Sequence, residues 1–437
     1  MLSALKRREV VDALRRGTVP ARGLGSLAVG LDYVTGGLDE DLQHVAAGGS
    51  AIKAVRGEYG GGKTFLVRWL AERAQAMGLA TAEVQISETP LHRLETVYRR
   101  AVEHLGTADE PSGALRSVLE RWSYGLEEEV LAEGGVREDD AAMLAERVDA
   151  LMERRLSAVG QRAGAFAAVV RAWRRASLNG DAEAVEGLLA WLGGQPHAAA
   201  RVKRLAGVKG ELNHFGALAF LQALLLVLRD AGHPGLLLGL DEVETLQRMR
   251  SDVRDKGLNA LRQFFDEIDR QRFPGLFLVL TGTSAFFEGP QGVPRLPPLA
   301  QRLHTDFGDE PRFDNPRAVQ IRLRPFDRER LVEVGRRVRD IYAQGQPSEE
   351  RLERLVDDAY LADFATAVAG ELGAWVGLAP RVFLRKLVGD VLDRVDQFPD
   401  FDPRRDYELS LSDGELTIEE REARRPRRAD DVELDVP

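Results

Sequence analysis

The sequence contains no cysteine, which excludes disulfide bonds, thiolate metal ligands and cysteine nucleophiles. It also lacks any run of about 18 uncharged apolar residues, the length that a helix needs to cross a bilayer. Its first 17 residues are charged throughout and have no apolar core of a secretory signal. We therefore expect a cytoplasmic protein without a membrane span.

Lysine is scarce as well, because 53 of the 60 basic residues are arginine, so a single arginine carries little functional information. The net charge of -10 argues against a surface devoted wholly to nucleic acid. Two basic stretches, Arg171–Arg175 and Arg201–Lys209, would contact a DNA backbone, but they also fit solvated helix faces, and both interpretations stay open. The seven histidines show no metal-ligand spacing.

The chain is long enough for two or three domains. Apolar strand-like segments alternate with helical patterns, which predicts an α/β fold with a parallel sheet flanked by helices. The pattern divides the chain into an N-terminal helix and ordered loop (1–45), a core (46–325) with a helical insertion at about 90–210, an all-helical segment (326–396) and a polar, partly disordered tail (397–437).

The segment GEYGGGKT, Gly57–Thr64, matches the phosphate-loop (Walker A) pattern G-x-x-x-x-G-K-[ST]. A strand is predicted before it and a helix after it, which is the context that this motif requires. Glycines let backbone N–H groups approach a triphosphate, and the helix N-terminus adds partial positive charge. Lys63 is predicted to reach the β- and γ-phosphates, and Thr64 to ligate magnesium. The predicted ATP-binding residues are Gly57, Glu58, Tyr59, Gly60, Gly61, Gly62, Lys63, Thr64 and Phe65.

Two further strands are predicted to end in polar residues. The segment LLLGLDE ends in Asp241 and Glu242, and we expect this strand to lie beside the phosphate loop. Asp241 would then lie near the magnesium ion, and Glu242 would be the general base for the attacking water. Thr281 ends the segment LFLVLT, and its hydroxyl would orient that water or sense the γ-phosphate. For Glu244 we expect a surface role.

Three arginines are candidates for contacts with phosphate. Arg295 and Arg302 flank a short predicted helix, and either would act in trans as an arginine finger on the nucleotide of a neighbour in a homo-oligomer. Of the two we favour Arg302. Arg381 follows Pro380 at the start of a predicted helix, a position that suits proline, and would project across a cleft.

The order of these motifs, ending in G-x-x-P-R at Gly377–Arg381, resembles that of AAA+ ATPases of the ORC-like initiator type. More narrowly, the chain is similar to the BrxD-like ATP-binding proteins of BREX phage-defence systems over most of residues 10–395. The segments that carry this similarity are ALRRGTVPARGLGSLAVGLD, GEYGGGKTFL, GLLLGLDEVETL, LTGT and LAPRVFLRKL. The resemblance implies that residues 326–396 form a lid and that Arg381 binds the γ-phosphate from it.

The sequence therefore predicts an ATP-hydrolysing, magnesium-dependent switch protein. The resemblance implies a role in phage defence, on DNA or on other proteins of the same system. The alternative is a signalling or scaffold ATPase that holds nucleotide stably and recruits proteins through the helical insertion. DNA-stimulated turnover would favour the first interpretation, and a tightly held nucleotide with negligible turnover would favour the second.

Overall fold

A computed structural model describes residues 2–135, 137, 140–160, 163–372 and 380–411. Most of the predicted tail, residues 412–437, lies outside the described residues, as does Gly377 of the G-x-x-P-R motif. The described chain contains one sheet of five parallel strands in the order β2-β3-β4-β1-β5. These strands are β1 (Ala51–Arg56), β2 (Ala80–Gln85), β3 (Leu236–Asp241), β4 (Leu276–Gly282) and β5 (Gln320–Arg322).

Helices cover both faces of the sheet, which confirms the predicted α/β class. Before β2 the chain forms α1 (Ala4–Arg15), α2 (Asp32–Ala46) and α3 (Lys63–Ala76). Between β2 and β3 lie α4 (Leu94–Glu103), α5 (Leu115–Glu133), α6 (Ala141–Gly160), α7 (Gly164–Leu178), α8 (Ala182–Leu192), α9 (Ala200–Ala206) and α10 (His214–Asp230). Three more lie between β3 and β5: α11 (Ser251–Asp269), α12 (Ser284–Glu288) and α13 (Pro297–Leu303).

The chain after β5 is helical as far as it is described. It forms α14 (Arg328–Ala343), α15 (Glu349–Leu355), α16 (Asp358–Leu372), α17 (Pro380–Lys386), a π-helical turn at Leu387–Leu392, α18 (Asp393–Gln397) and α19 (Pro403–Asp406). No helix among the described residues combines the length and the apolar character needed to cross a membrane.

Alternate residues of β4 face opposite sides of the sheet, because successive side chains of a strand point in opposite directions. Leu276, Leu278 and Leu280 belong to an apolar cluster with α4, α10 and α11, whereas Phe277 and Val279 pack with α2 and α3. All seven residues of β4 are buried. A strand covered on both faces explains why this segment is continuously apolar rather than alternating.

Strand β3 does not pair directly with the strand of the phosphate loop. β4 separates them, since Leu280 of β4 pairs with both Ala54 of β1 and Leu240 of β3. The carboxyl ends of the three strands still lie at one edge of the sheet. Asp241 and the phosphate loop therefore meet across the end of β4.

The helical insertion is held together in part by buried charge. Arg174 of α7 is only 2% exposed and pairs with Glu127 of α5 at 3.2 Å and with Asp149 of α6 at 2.6 Å. Nearby, Arg171 pairs with Glu153. These ion pairs favour a structural role for part of the Arg171–Arg175 cluster.

The N-terminal helix packs on the C-terminal helices rather than on the sheet. Val10, Val11 and Leu14 of α1 share an apolar cluster with Leu331 and Phe383, which lie on α14 and α17. Arg15 also forms a bidentate ion pair with Asp393, with distances of 2.6 and 2.8 Å. The segment that follows, residues 16–31, which we call the strap, therefore runs from the C-terminal helices to the core.

Candidate nucleotide-binding site

The phosphate loop leaves β1 at the edge of the sheet and leads directly into α3. The backbone N–H of Gly57 donates to the carbonyl of Gly282 in β4 at 3.0 Å, which fixes the start of the loop. Gly62 has a φ of 90° at the N-terminus of α3, a left-handed conformation that glycine adopts without strain. No side chain caps this end of α3, so its first N–H groups suit an anion.

Lys63 is buried beneath the loop and makes several contacts through its ammonium group. Its Nζ donates to the carbonyl oxygens of Gly57 at 3.0 Å and Glu58 at 3.3 Å, and lies 4.9 Å from the centre of the Tyr59 ring. It also forms an ion pair with Glu244, with 3.3 Å between Nζ and Oε1. The ammonium thus lies beside the loop that would wrap the phosphates.

Asp241 is fully buried at the end of β3, and its two carboxylate oxygens accept hydrogen bonds from neighbouring elements. Oδ2 accepts from the hydroxyl of Thr64 at 2.6 Å and from the side-chain amide of Gln85 at 3.2 Å. Oδ1 accepts from the backbone N–H of Glu242 at 3.1 Å and from the hydroxyl of Thr281. The structure therefore brings both predicted magnesium ligands, Thr64 and Asp241, into direct contact.

Thr281 lies behind Asp241 rather than at an open surface. It is fully buried, its hydroxyl donates to Asp241, and the same oxygen accepts from the backbone N–H of Glu242 at 3.1 Å. In this arrangement Thr281 orients the two acidic residues. The structure shows no exposed Thr281 hydroxyl of the kind that would touch a water or a phosphate directly.

Glu242 has a left-handed backbone, with φ of 61° and ψ of 43°, which is uncommon for a residue with a side chain. Such strain costs of order 1–3 kcal/mol and persists where the surrounding structure holds it in place. Here the holding contacts are the two hydrogen bonds from the Glu242 N–H and the one from the Thr245 hydroxyl to its carbonyl at 2.8 Å. Strained residues cluster at functional sites.

Glu244 is not a surface residue, and that prediction was wrong. After the left-handed turn at Glu242 the chain enters a 3-10 helix, Val243–Arg248, which turns Glu244 inward until it is only 2% exposed. Burial raises the pKa of Glu244, while the positive charge of Lys63 opposes that rise. No sequence pattern indicates this orientation, because it depends on the backbone conformation of Glu242.

A cavity of about 430 Å³ opens above these residues. Its floor comprises the phosphate loop, Glu242 and Glu244, and one wall is formed by the strap residues Thr18, Val19 and Pro20. The rest of the lining comes from the chain after β5 and from the C-terminal helices, namely Leu323, Arg324, Phe326, Arg330, Val334, Pro380, Arg381 and Leu384. The cavity is therefore bounded by the sheet edge, the strap and the helical segment.

The strap is tied to α3 by hydrogen bonds that the sequence did not reveal. The carboxylate of Glu72 accepts from the backbone N–H groups of Gly23 at 2.7 Å and Gly25 at 3.1 Å. The guanidinium of Arg68 donates to the carbonyl of Val19 at 3.1 Å. These contacts fix one wall of the cavity to the helix that begins at the phosphate loop.

The three candidate arginines differ in their positions relative to the cavity. Arg381 is half-buried and lines the cavity, and its projection across a cleft stays a prediction. Arg302 instead pairs with Asp266 and Asp269 of α11, beside residues Gly48–Ser50 that precede β1, at the opposite edge of the sheet. Arg295 pairs with Asp255. Neither Arg295 nor Arg302 reaches the cavity of its own chain, so action in trans stays a prediction.

The oxygens beside the phosphate loop fit a magnesium ion, which prefers oxygen ligands and keeps several waters. Among the described residues, no group of three or more histidines or acidic residues is arranged to hold a metal ion. Thr64 and Asp241 would therefore supply only part of the coordination shell. The phosphates and water would complete it, which is the usual arrangement for magnesium in nucleotide sites.

Comparison with known families agrees with this geometry. The family model of BREX system ATP-binding proteins, BrxC/D, matches residues 2–411. The chain belongs to this family. The matched range includes the strap, the phosphate loop and the helices that close the cavity, and it confirms the resemblance seen in the sequence. A search among curated proteins found no match. The BrxC/D assignment supports ATP as the ligand of the site.

Proposed function

We propose that this BrxC/D protein hydrolyses ATP and uses the nucleotide state to change the position of its helical segment, residues 326–396. In this proposal the triphosphate lies along the phosphate loop, Gly57–Thr64, with the rest of the nucleotide in the cavity toward the strap. The core and the helical segment correspond to the core and the lid of an AAA+ ATPase. The observation that carries the proposal is the contact of Thr64 with Asp241 at 2.6 Å beside this cavity.

We assign each residue a role that fits its position. Lys63 neutralises the β- and γ-phosphates, and Thr64 with Asp241 holds magnesium, which would screen the phosphate charge when bound. Glu242 accepts the proton of the attacking water as general base. Thr281 keeps Asp241 and Glu242 in position. Support for this last role comes from its two hydrogen bonds to those residues.

Closure of the lid involves Arg381 in this proposal. Its guanidinium binds the γ-phosphate and releases it after hydrolysis, so that ATP and ADP favour different lid positions. Support comes from Arg381 and Pro380, which line the same cavity as the phosphate loop. A ligand shifts such an equilibrium only by its differential affinity for the two positions, and the γ-phosphate supplies that difference.

Two variants test the nucleotide site. Lys63→Ala should abolish ATP binding in an equilibrium titration, because it removes the only lysine of the phosphate loop. Glu242→Gln should retain binding and lose turnover. Glu288→Gln is a matched control, since Glu288 is exposed and pairs with Arg56 outside the cavity. ATP affinity retained in Lys63→Ala, or normal turnover in Glu242→Gln, would refute the assignment.

Action on DNA or on partner defence proteins belongs to the same proposal and is motivated by BREX family membership. Turnover should be measured with and without DNA at several salt concentrations, because contacts with phosphates are weakened by salt. Light scattering with and without nucleotide would report whether the chain assembles, as a trans role for Arg302 requires. Tight nucleotide binding without turnover or DNA response would favour the scaffold alternative.

A further inference from the structure

Glu244 is a buried carboxylate in the floor of the cavity, and the proposed hydrolysis does not use it. It is 2% exposed, and neither of its oxygens has a hydrogen-bond partner of ordinary geometry among the described residues. Its compensating interaction is the ion pair with Lys63, at 3.3 Å from Oε1 to Nζ. A buried carboxylate is costly unless it is paired, so Glu244 depends on the lysine of the phosphate loop.

The contacts of Lys63 show what a phosphate would have to displace. An ammonium group has three donors, and Lys63 has three oxygens within reach: the carbonyls of Gly57 and Glu58, and Oε1 of Glu244. The two carbonyls belong to the loop itself and move with it. Glu244 lies on a different element, the 3-10 helix after β3, and carries the only formal negative charge among the three.

We propose that Glu244 competes with the nucleotide phosphates for Lys63 and so sets the affinity of the site. This inference rests on the proposed function, since it takes the cavity to bind ATP. With the site empty, Glu244 neutralises the lysine. When a nucleotide binds, its β- or γ-phosphate pairs with Lys63 in place of Glu244. Glu244 is then left as a buried negative charge close to the phosphates.

Two physical effects of Glu244 then both lower the affinity of the site for nucleotide. Binding must weaken the Lys63–Glu244 ion pair, and the buried carboxylate repels the anionic phosphates in a region of low dielectric. Glutamine at position 244 keeps the size of the side chain but removes the charge. It should therefore bind nucleotide more tightly than the natural residue, which is opposite to the usual effect of damage to a binding site.

The experiment measures the dissociation constants of Mg-ATP and Mg-ADP for the full chain and its variants. For Glu244→Gln we expect at least a tenfold lower dissociation constant. Glu244→Asp keeps the charge but shortens the side chain, which loosens the ion pair, so an intermediate gain is expected. Glu288→Gln removes an exposed carboxylate near the loop but outside the cavity, and it should change affinity by less than about twofold.

The outcomes separate this proposal from the function on which it rests. If the natural chain binds no ATP, the proposed function fails. If the natural chain binds ATP but Glu244→Gln binds equally or more weakly, the competition is refuted and Glu244 instead orients Lys63 toward the phosphates. If Glu244→Gln does not fold, absence of any gain in Glu244→Asp refutes the proposal on its own.

Discussion

Replacing Thr281 by valine tests the buried network that orients the acidic residues. The substitution keeps the branched shape of the side chain, so it creates little cavity, but it removes the hydroxyl that donates to Asp241 and accepts from the Glu242 N–H. A hydrogen bond to a charged group contributes about 1.5–3 kcal/mol. Asp241 keeps its donors Thr64, Gln85 and the N–H of Glu242, so the loss should stay near 2 kcal/mol.

The same estimate limits the effect on turnover. If all of about 2 kcal/mol were lost from the transition state, the rate constant would fall about 30-fold, since each 1.36 kcal/mol corresponds to a factor of ten. We therefore expect Thr281→Val to lower kcat by about 10- to 30-fold while changing ATP affinity little, because Thr281 lines no part of the cavity. Steady-state ATPase assays at saturating Mg-ATP measure kcat, and urea unfolding measures the stability.

Thr283 provides the matched control two residues further along the chain. It is also buried, at 3% exposed, but its hydroxyl accepts from the N–H of Phe286 at 3.4 Å and caps α12. Thr283→Val should cost about 1 kcal/mol of stability through the lost cap and leave kcat within about threefold. Wild-type turnover in Thr281→Val, or an equal loss in both variants, would refute the role given to the network.

Three further predictions concern the walls of the site and its metal. Arg381→Ala should weaken ATP binding about tenfold and leave ADP binding within about twofold, because a charged hydrogen bond to the γ-phosphate is lost. Competition titrations measure both dissociation constants, and an equal loss for ATP and ADP contradicts the contact of Arg381 with the γ-phosphate. Glu72→Gln should lower the stability of the strap by about 1 kcal/mol and weaken ATP binding a few-fold. Limited proteolysis measures the first effect and titration the second, and Glu88→Gln is the control because Glu88 is exposed. Chelation of magnesium should abolish turnover in the ATPase assay, and activity that persists in EDTA would rule out the Thr64–Asp241 metal site.

The sequence predicted the floor of the site well, because parallel strands bring their carboxyl ends to one edge. Apolar segments followed by Asp241 or by Thr281 were enough to place these residues near the phosphate loop, even though the strand order was not predicted. Glu244 was missed because a single left-handed residue, Glu242, decides which way the following turn faces. Such a local backbone conformation leaves no periodic trace in the sequence.

Helix α2 was missed for a different reason. Two adjacent glycines, Gly36 and Gly37, lie inside it, and glycine in a helix interior normally argues against a helix. At Gly37 a Cβ atom would come within 2.6 Å of the carbonyl oxygen of Pro316. The glycine therefore marks the close approach of the chain before β5 to the helix, which depends on tertiary packing that the local sequence does not express.

The strap gives the helical segment a second connection to the core. One connection is the chain between β5 and α14, and the other runs back through α1, whose Arg15 is clamped to Asp393. The strap is also bonded to both parts: Arg337 of α14 donates to the carbonyl of Ala28 at 2.7 Å, and Gly23 in the middle of the strap donates to Glu72 of α3. In the proposed movement, a helical segment held in this way does not swing freely about one hinge, because any large rotation must stretch the strap or break its bonds to α3. Since α3 begins at Lys63, the proposed movement is linked through these bonds to the position of the phosphate loop.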